Sequence, residues 1–143
     1  MCASPELLAA VTTAKQFLTY VNGAPFQHAI VTALGLPDTY YSEFAADLAA
    51  RRDLLTEGLR RAGLDVLQTQ GTYFVTVDIR SVGETDGLAF CRDLPGRCGV
   101  VAVPSSVFYD DVEVGRSLVR FTFCKQRSLL TEAVARLERN FRS

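Results

Sequence analysis

The sequence predicts an α+β fold: a three-stranded small sheet covered by helices on one face and preceded by a helical arm. Two observations carry that prediction. Apolar residues recur with helical spacing up to Gly63 and alternate after it. The segment Leu118-Val-Arg-Phe-Thr-Phe-Cys124 then reads as a strand, followed by the amphipathic run Ser128 to Phe141.

The elements follow in order. Ser4-Pro5-Glu6 is a helix start, with an N-cap, a proline where the missing N–H is harmless, and an acid at the positive dipole end. That helix carries Leu7, Leu8, Val11, Ala14, Phe17, Leu18 and Val21 until Asn22-Gly23, a pair tolerant of left-handed backbone, interrupts it. Pro25 opens a second helix through Leu34, closed by Gly35-Leu-Pro37. Asp38 caps a long helix whose apolar face is Phe44, Leu48, Leu55, Leu59 and Ala62, with Arg60-Arg61 in its last turn and Gly63 as the stop. Thr72 to Ile79 alternates, with Tyr73, Val75, Val77 and Ile79 on one face. A short helix from Thr85 to Leu94 ends at Pro95-Gly96, and Gly99 to Val103 is a short strand stopped by Pro104. The acidic loop Asp110 to Gly115 leads to the last strand, and the final helix aligns Leu130, Val134, Leu137 and Phe141. The natural division is residues 1–37 as the arm and 38–143 as the compact domain.

In the last strand Val119, Phe121 and Phe123 form one face, and Leu118, Arg120, Thr122 and Cys124 the other. An arginine in so apolar a strand is costly unless its charge meets an anion, and its flat fork of donors suits a carboxylate or phosphate. Arg120 is therefore either a member of a structural ion pair or a receptor for an anionic ligand. Composition favours the first, since most partly buried arginines are paired within the protein.

Composition narrows the function classes. At 143 residues with 48% hydrophobic content the chain can bury a single core and is not of disordered type. A net charge of −1 gives no electrostatic footprint for nucleic acid. Aromatics on adjacent strands, Tyr73-Phe74 and Phe121 with Phe123, superficially match an RNA-stacking platform, but the basic surround it needs is missing. No apolar run approaches the ~20 residues of a membrane span, and the N-terminus lacks the pattern of a signal peptide, so a cytoplasmic location is expected. Cys2, Cys91, Cys98 and Cys124 include no Cys-x-x-Cys pair and lie far from the one histidine, His28. No metal site is expected, and free, mostly buried thiols are.

Four ordered blocks carry a resemblance to a known family. They are Ser4-Pro-Glu-Leu-Leu-Ala-Ala-Val11 with Ala14-Lys-Gln-Phe-Leu18 and Pro25-Phe-Gln27; Gln70-Gly-Thr-Tyr-Phe74; Gly99-Val-Val-Ala-Val-Pro104 with Ser106-Val-Phe-Tyr109; and Val119-Arg-Phe-Thr-Phe123. Together they span nearly the whole chain. The sequence resembles the C-terminal part of the class I/II, fold-type I aminotransferases that use pyridoxal phosphate, most of all the kynurenine, N-succinyldiaminopimelate and methionine aminotransferase branch. The resemblance implies that residues 1–37 end the family's large domain and that 38–143 form its small domain. It implies that Arg120 binds the substrate's α-carboxylate, with Gly71 and Tyr73 at the pocket rim and Pro104-Ser105-Ser106 nearby. It also implies a homodimer in which the loop at Asn22 and Gly23 crosses to the neighbouring subunit's site. Bulky residues often stand there in the kynurenine branch, so Asn and Gly suggest a roomier or more polar pocket.

The same resemblance places the Schiff-base lysine upstream of Met1. Lys15 and Lys125 are the lysines present, and neither has the matching context. The expectation is thus a fragment or truncated product. It carries recognition of an amino-acid or 2-oxo-acid substrate, without catalytic residues, covalent cofactor or turnover of its own. The alternative is a non-catalytic module that binds an anion or small molecule through Arg120.

Overall fold

The computed structural model describes residues 3–20 and 23–141. The chain divides into two compact units, Met1–Tyr41 and Ser42–Ser143. In the first, α1 (Pro5–Leu18) starts as its sequence dictates, with Ser4 Oγ accepting from the Leu7 N–H and Pro5 in the first turn. It ends early: Thr19 and Tyr20 both donate to the Lys15 carbonyl at 3.0 Å, and Tyr20 takes the left-handed conformation at φ 56°. The break expected at Asn22-Gly23 is therefore made at Tyr20, and Val21 and Asn22 lie outside the described residues. Gly23 has an ordinary φ of −56° and stands at the N-cap of α2 (Ala24–Leu34). Neither helix contains a buried residue among those described.

The third helix, α3 (Asp38–Arg61), begins in this unit with Asp38 as its first residue rather than its cap. In the second unit it lays Leu55 and Leu59 onto the core, with Ala62 just beyond, and Gly63 at φ 88° stops it. Phe44, expected on that face, is 56% exposed.

The sheet has four strands, one more than the sequence pattern predicts, in the antiparallel order β1-β2-β4-β3. The addition is β1 (Asp65–Val66), whose two residues pair with Asp78 and Val77 of β2 (Phe74–Asp78). Two residues are too few to show a period. The central strand β4 (Leu118–Thr122) pairs with β2 on one side and with β3 (Val103–Pro104) on the other. Residues from Gly99 onward alternate in and out, but only Val103 and Pro104 join the ladder. Pro104 extends the strand instead of ending it, because an edge strand does not need its N–H.

Between these strands, a 3-10 turn (Ile79–Val82) is capped by Asp78, and α4 (Gly87–Cys98) by Asp86. That helix passes through Pro95 and stops at Gly99, which is left-handed at φ 67° and donates to the Pro95 carbonyl at 2.9 Å. The proline removes one N–H near the C-terminal end, with its ring exposed, so the last turn survives. A second 3-10 segment (Ser105–Phe108) follows β3, and α5 (Arg127–Phe141) closes the unit.

One sheet face is the core. Val75, Val77, Val119, Phe121 and Phe123 are at most 3% exposed and lie in one cluster with Phe90, Leu94, Leu130, Val134 and Leu137. Tyr73, expected to share that face, precedes β2 and is 57% exposed. At the crossing of α3 and α5, Gly58 packs so closely on Val134 that a Cβ would clash with both methyl groups. The ion pair of Arg61 and Glu138 at 2.7 Å joins the same two helices.

Candidate functional site

The other sheet face carries Phe74, Thr76, Leu118, Arg120 and Thr122, all half-buried. Arg120 sits at its middle, in register with Thr76 on one side and Val103 on the other. Its guanidinium carbon lies 4.6 Å from the centre of the Phe74 ring and 4.0 Å from that of Phe108. Phe74 opens β2, and Phe108 ends the 3-10 segment that follows the opposite neighbouring strand, so sheet topology brings one ring from each side.

No carboxylate among the described residues lies within 4.0 Å of this guanidinium. Several acids of the unit pair with other arginines: Asp78 with Arg80, Glu113 with Arg116, Asp47 with Arg51 and Arg127, Glu138 with Arg61. Arg120 Nε is buried with no hydrogen-bond partner. Leaving a buried N–H unpaired costs about 1–3 kcal/mol. Two ring contacts of about 0.5–2 kcal/mol each are large enough to offset that cost. The rings thus hold the arginine where internal ion pairing does not.

The turn before β2 contains strain. Thr72 has φ 63°, a left-handed conformation that is a genuine outlier for a β-branched residue, and its Oγ1 takes the Tyr73 N–H at 2.6 Å. The sequence suggests that Gly71 supplies the positive φ or a close approach. Instead the strained residue is its neighbour, and nothing lies within 4 Å of a Cβ at Gly71 among the described residues. Beyond the turn the Tyr73 carbonyl accepts from Phe123 N at 2.9 Å and from Thr122 Oγ1 at 3.1 Å, which anchors the start of β2. Tyr73 meets Phe74 edge to face at 5.6 Å, so it reaches the arginine through that ring.

Of the residues singled out in the sequence, Tyr73 is linked to Arg120 through the Phe74 ring, and Gly71 stands two residues before Tyr73 in the chain. Asn22 lies outside the described residues, and Gly23 belongs to the other unit. Ser105 is 1% exposed, and its hydroxyl is buried without a partner. Phe74 and Phe108 escaped sequence reading although both stand in the quoted blocks. The usable signal was parity: Phe74 is out of phase with Val75 and Val77, hence on the arginine's face.

The remaining reactive groups are simple. Cys91 is buried, which pushes its thiol up to about 11, and Cys98 is half-buried. Cys124 is exposed, contrary to the expected burial, and sits 3.0 Å from Thr122 Oγ1. Strand β4 has ended at Thr122, so nothing covers the thiol. Lys15 is exposed on α1 and Lys125 on the loop after β4. Asp86 closes the N-terminus of α4 by taking the Leu88 and Ala89 N–H groups at 3.0 Å. No helix among the described residues is long and apolar enough to cross a membrane.

Comparison with known proteins adds a second kind of evidence. Residues 1–137 match the family "Aminotransferase class I and II". The Mycobacterium tuberculosis protein named "Probable N-succinyldiaminopimelate aminotransferase DapC" is 44% identical over 144 residues, covering 95% of this chain and 36% of that protein. The Escherichia coli methionine aminotransferase is 33% identical over 137 residues, covering 95% of this chain and 35% of its own length. The solved structure of N-succinyldiaminopimelate aminotransferase from Mycobacterium tuberculosis superposes with a TM-score of 0.86 at 46% identity, over 96% of this chain and 36% of that one. The chain thus spans about a third of the length of these relatives.

Proposed function

The chain belongs to the class I and II aminotransferases, a pyridoxal-phosphate-dependent family, and from that premise we propose that it is the substrate-binding C-terminal part of such an enzyme, with Arg120 as receptor for the substrate's α-carboxylate. The observation that carries this reading is the unpaired, ring-held guanidinium. An arginine kept half-buried with no internal anion has its positive charge available to a ligand, and a carboxylate matches the fork of donors. Tyr73 lies at the rim one ring away. The complete enzyme would move an amino group between an amino acid and a 2-oxo acid. It would act as a homodimer, with the loop at Asn22 and Gly23 lining the neighbour's pocket.

Pyridoxal phosphate, when bound, supplies the electron sink for that reaction. Because Lys15 and Lys125 do not fit it, no step through the cofactor is assigned to these residues. Their contribution is to bind and orient: a carboxylate fixed on Arg120 sets which substrate bond faces the reacting centre.

The test is substitution of Arg120 in a full-length enzyme carrying this chain. Arg120→Ala should lower kcat/KM by on the order of 2–5 kcal/mol of transition-state binding. Arg120→Lys should recover only part, since an ammonium presents no fork. Normal kcat/KM with a lowered Tm in both variants would make Arg120 structural and overturn the reading.

A further inference from the structure

Two edges of the Arg120 guanidinium are not equivalent. Nε is buried and without a partner. The terminal nitrogens likewise make no hydrogen bond, yet they are not among the buried atoms, so they are the part of the group that meets solvent. Its central carbon lies over two rings, 4.6 Å from the centre of Phe74 and 4.0 Å from that of Phe108. Two ring contacts restrict where the group can move, and its inner edge is closed.

Resting on the carboxylate reading of Arg120, we propose that Phe74 and Phe108 are its positioning residues, a two-ring clamp that leaves the terminal nitrogens for a carboxylate. Neither ring supplies a polar contact of its own. Their effect is pre-organisation: the arginine's rotamer freedom is spent before the ligand arrives, so less is lost on binding.

The two jaws differ in kind. Phe74 belongs to the paired strand β2 and is anchored through the Tyr73 carbonyl, with the strained Thr72 just before it. Phe108 is 57% exposed and lies outside the core cluster, so it can be changed without disturbing the fold. It is the residue to test.

The experiment uses the 143-residue chain, labelled with nitrogen-15, with sodium acetate as the probe. It follows the Arg120 Nε–H signal and the backbone amide signals of Thr76 and Val103, the strand neighbours of residue 120, with rising acetate concentration. In the parent chain the two rings should hold this signal upfield by their ring currents. Phe108→Ala should move it downfield and reduce the acetate response by roughly tenfold. Phe108→Tyr, which keeps a ring, should restore both; Phe108→Leu, which keeps bulk without a ring, should restore neither. Rescue by Leu equal to rescue by Tyr would reduce the role to filling space and overturn the clamp. So would ring variants that leave the acetate response intact while Arg120→Ala abolishes it, and in that case the carboxylate reading survives. A response of the Thr76 and Val103 amides to acetate that persists unchanged in Arg120→Ala overturns the reading itself, and the proposal with it.

Discussion

Helices α2 and α5 carry the same kind of apolar stripe and meet opposite fates. In α2, Phe26, Ile30 and Leu34 recur at intervals of four and are 59–77% exposed. In α5, Leu130, Val134 and Leu137 recur at three to four and are at most 6% exposed. Periodicity specifies a helix and the side of it that would be buried. Burial itself needs a facing surface, and within its own unit α2 finds none while α5 finds the sheet. Stability in this chain is therefore concentrated in residues 42–143, where the cluster of buried residues lies.

Matched leucines break that comparison most directly. Leu59 has no exposed surface, and Leu18 is 82% exposed. Leu59→Ala should destabilise the protein by about 2–5 kcal/mol, the lost transfer energy plus a cavity. Leu18→Ala should change stability by no more than ~0.5 kcal/mol. Urea unfolding followed by circular dichroism reads both. Equal losses would mean that α1 is buried in solution and that the contrast between the units is false.

The next largest effect tests how tightly the second unit is packed. Gly58→Ala would ordinarily stabilise a helix interior by about 1 kcal/mol. Here the new Cβ would meet both Val134 methyls, and neither α3 nor α5 can retreat without opening the core. The expected net change is a loss of about 1–3 kcal/mol. Adding Val134→Ala, which makes room, should return part of it. Two changes that simply add would show that the helices do not touch there.

How much could be read in advance follows from the same contrast. The five α-helices and the strands β2 and β4 were legible, and β3 as the end of a longer apolar run, because Val75/Val77 and Val119/Phe121/Phe123 alternate and the caps are local chemistry. Strand β1 was not, since its two residues have no period and, unlike those of β3, do not lie in a longer apolar run. The end of α4 was missed because Pro95 outweighed the left-handed Gly99 that stops the helix. Arg120 was legible as an anomaly, a charge in an apolar strand. Its companions were not: Phe74 and Phe108 are 34 residues apart, and only the pairing of β4 with both β2 and β3 places them on the same guanidinium.

The smallest effect separates two acids that differ as the units do. Glu6, in the first turn of α1, has its carboxyl held below the usual range by a backbone hydrogen bond at the helix start and by Ser4, and it is fully exposed. Asp78 caps the 3-10 turn through Arg80 N at 3.0 Å and is 8% exposed. Hydrogen bonds from the Arg80 guanidinium hold its carboxyl below the ordinary 3.8, against the opposing push of burial. A lowered value in the folded state means that the unfolded chain binds the proton more readily. The stabilisation is therefore complete above about pH 4 and is lost as pH falls through the folded value. Asp78→Asn should cost about 1 kcal/mol at pH 7, because the cap oxygen survives but the charged bonds do not. That difference should shrink towards zero as the pH drops below 3.8. Glu6→Gln should leave the unfolding midpoint unchanged at every pH, because screened charge on an exposed helix start adds nothing measurable to the stability of residues 42–143. A gap between parent and Asp78→Asn that stays constant down to pH 2 would assign the loss to packing rather than to charge.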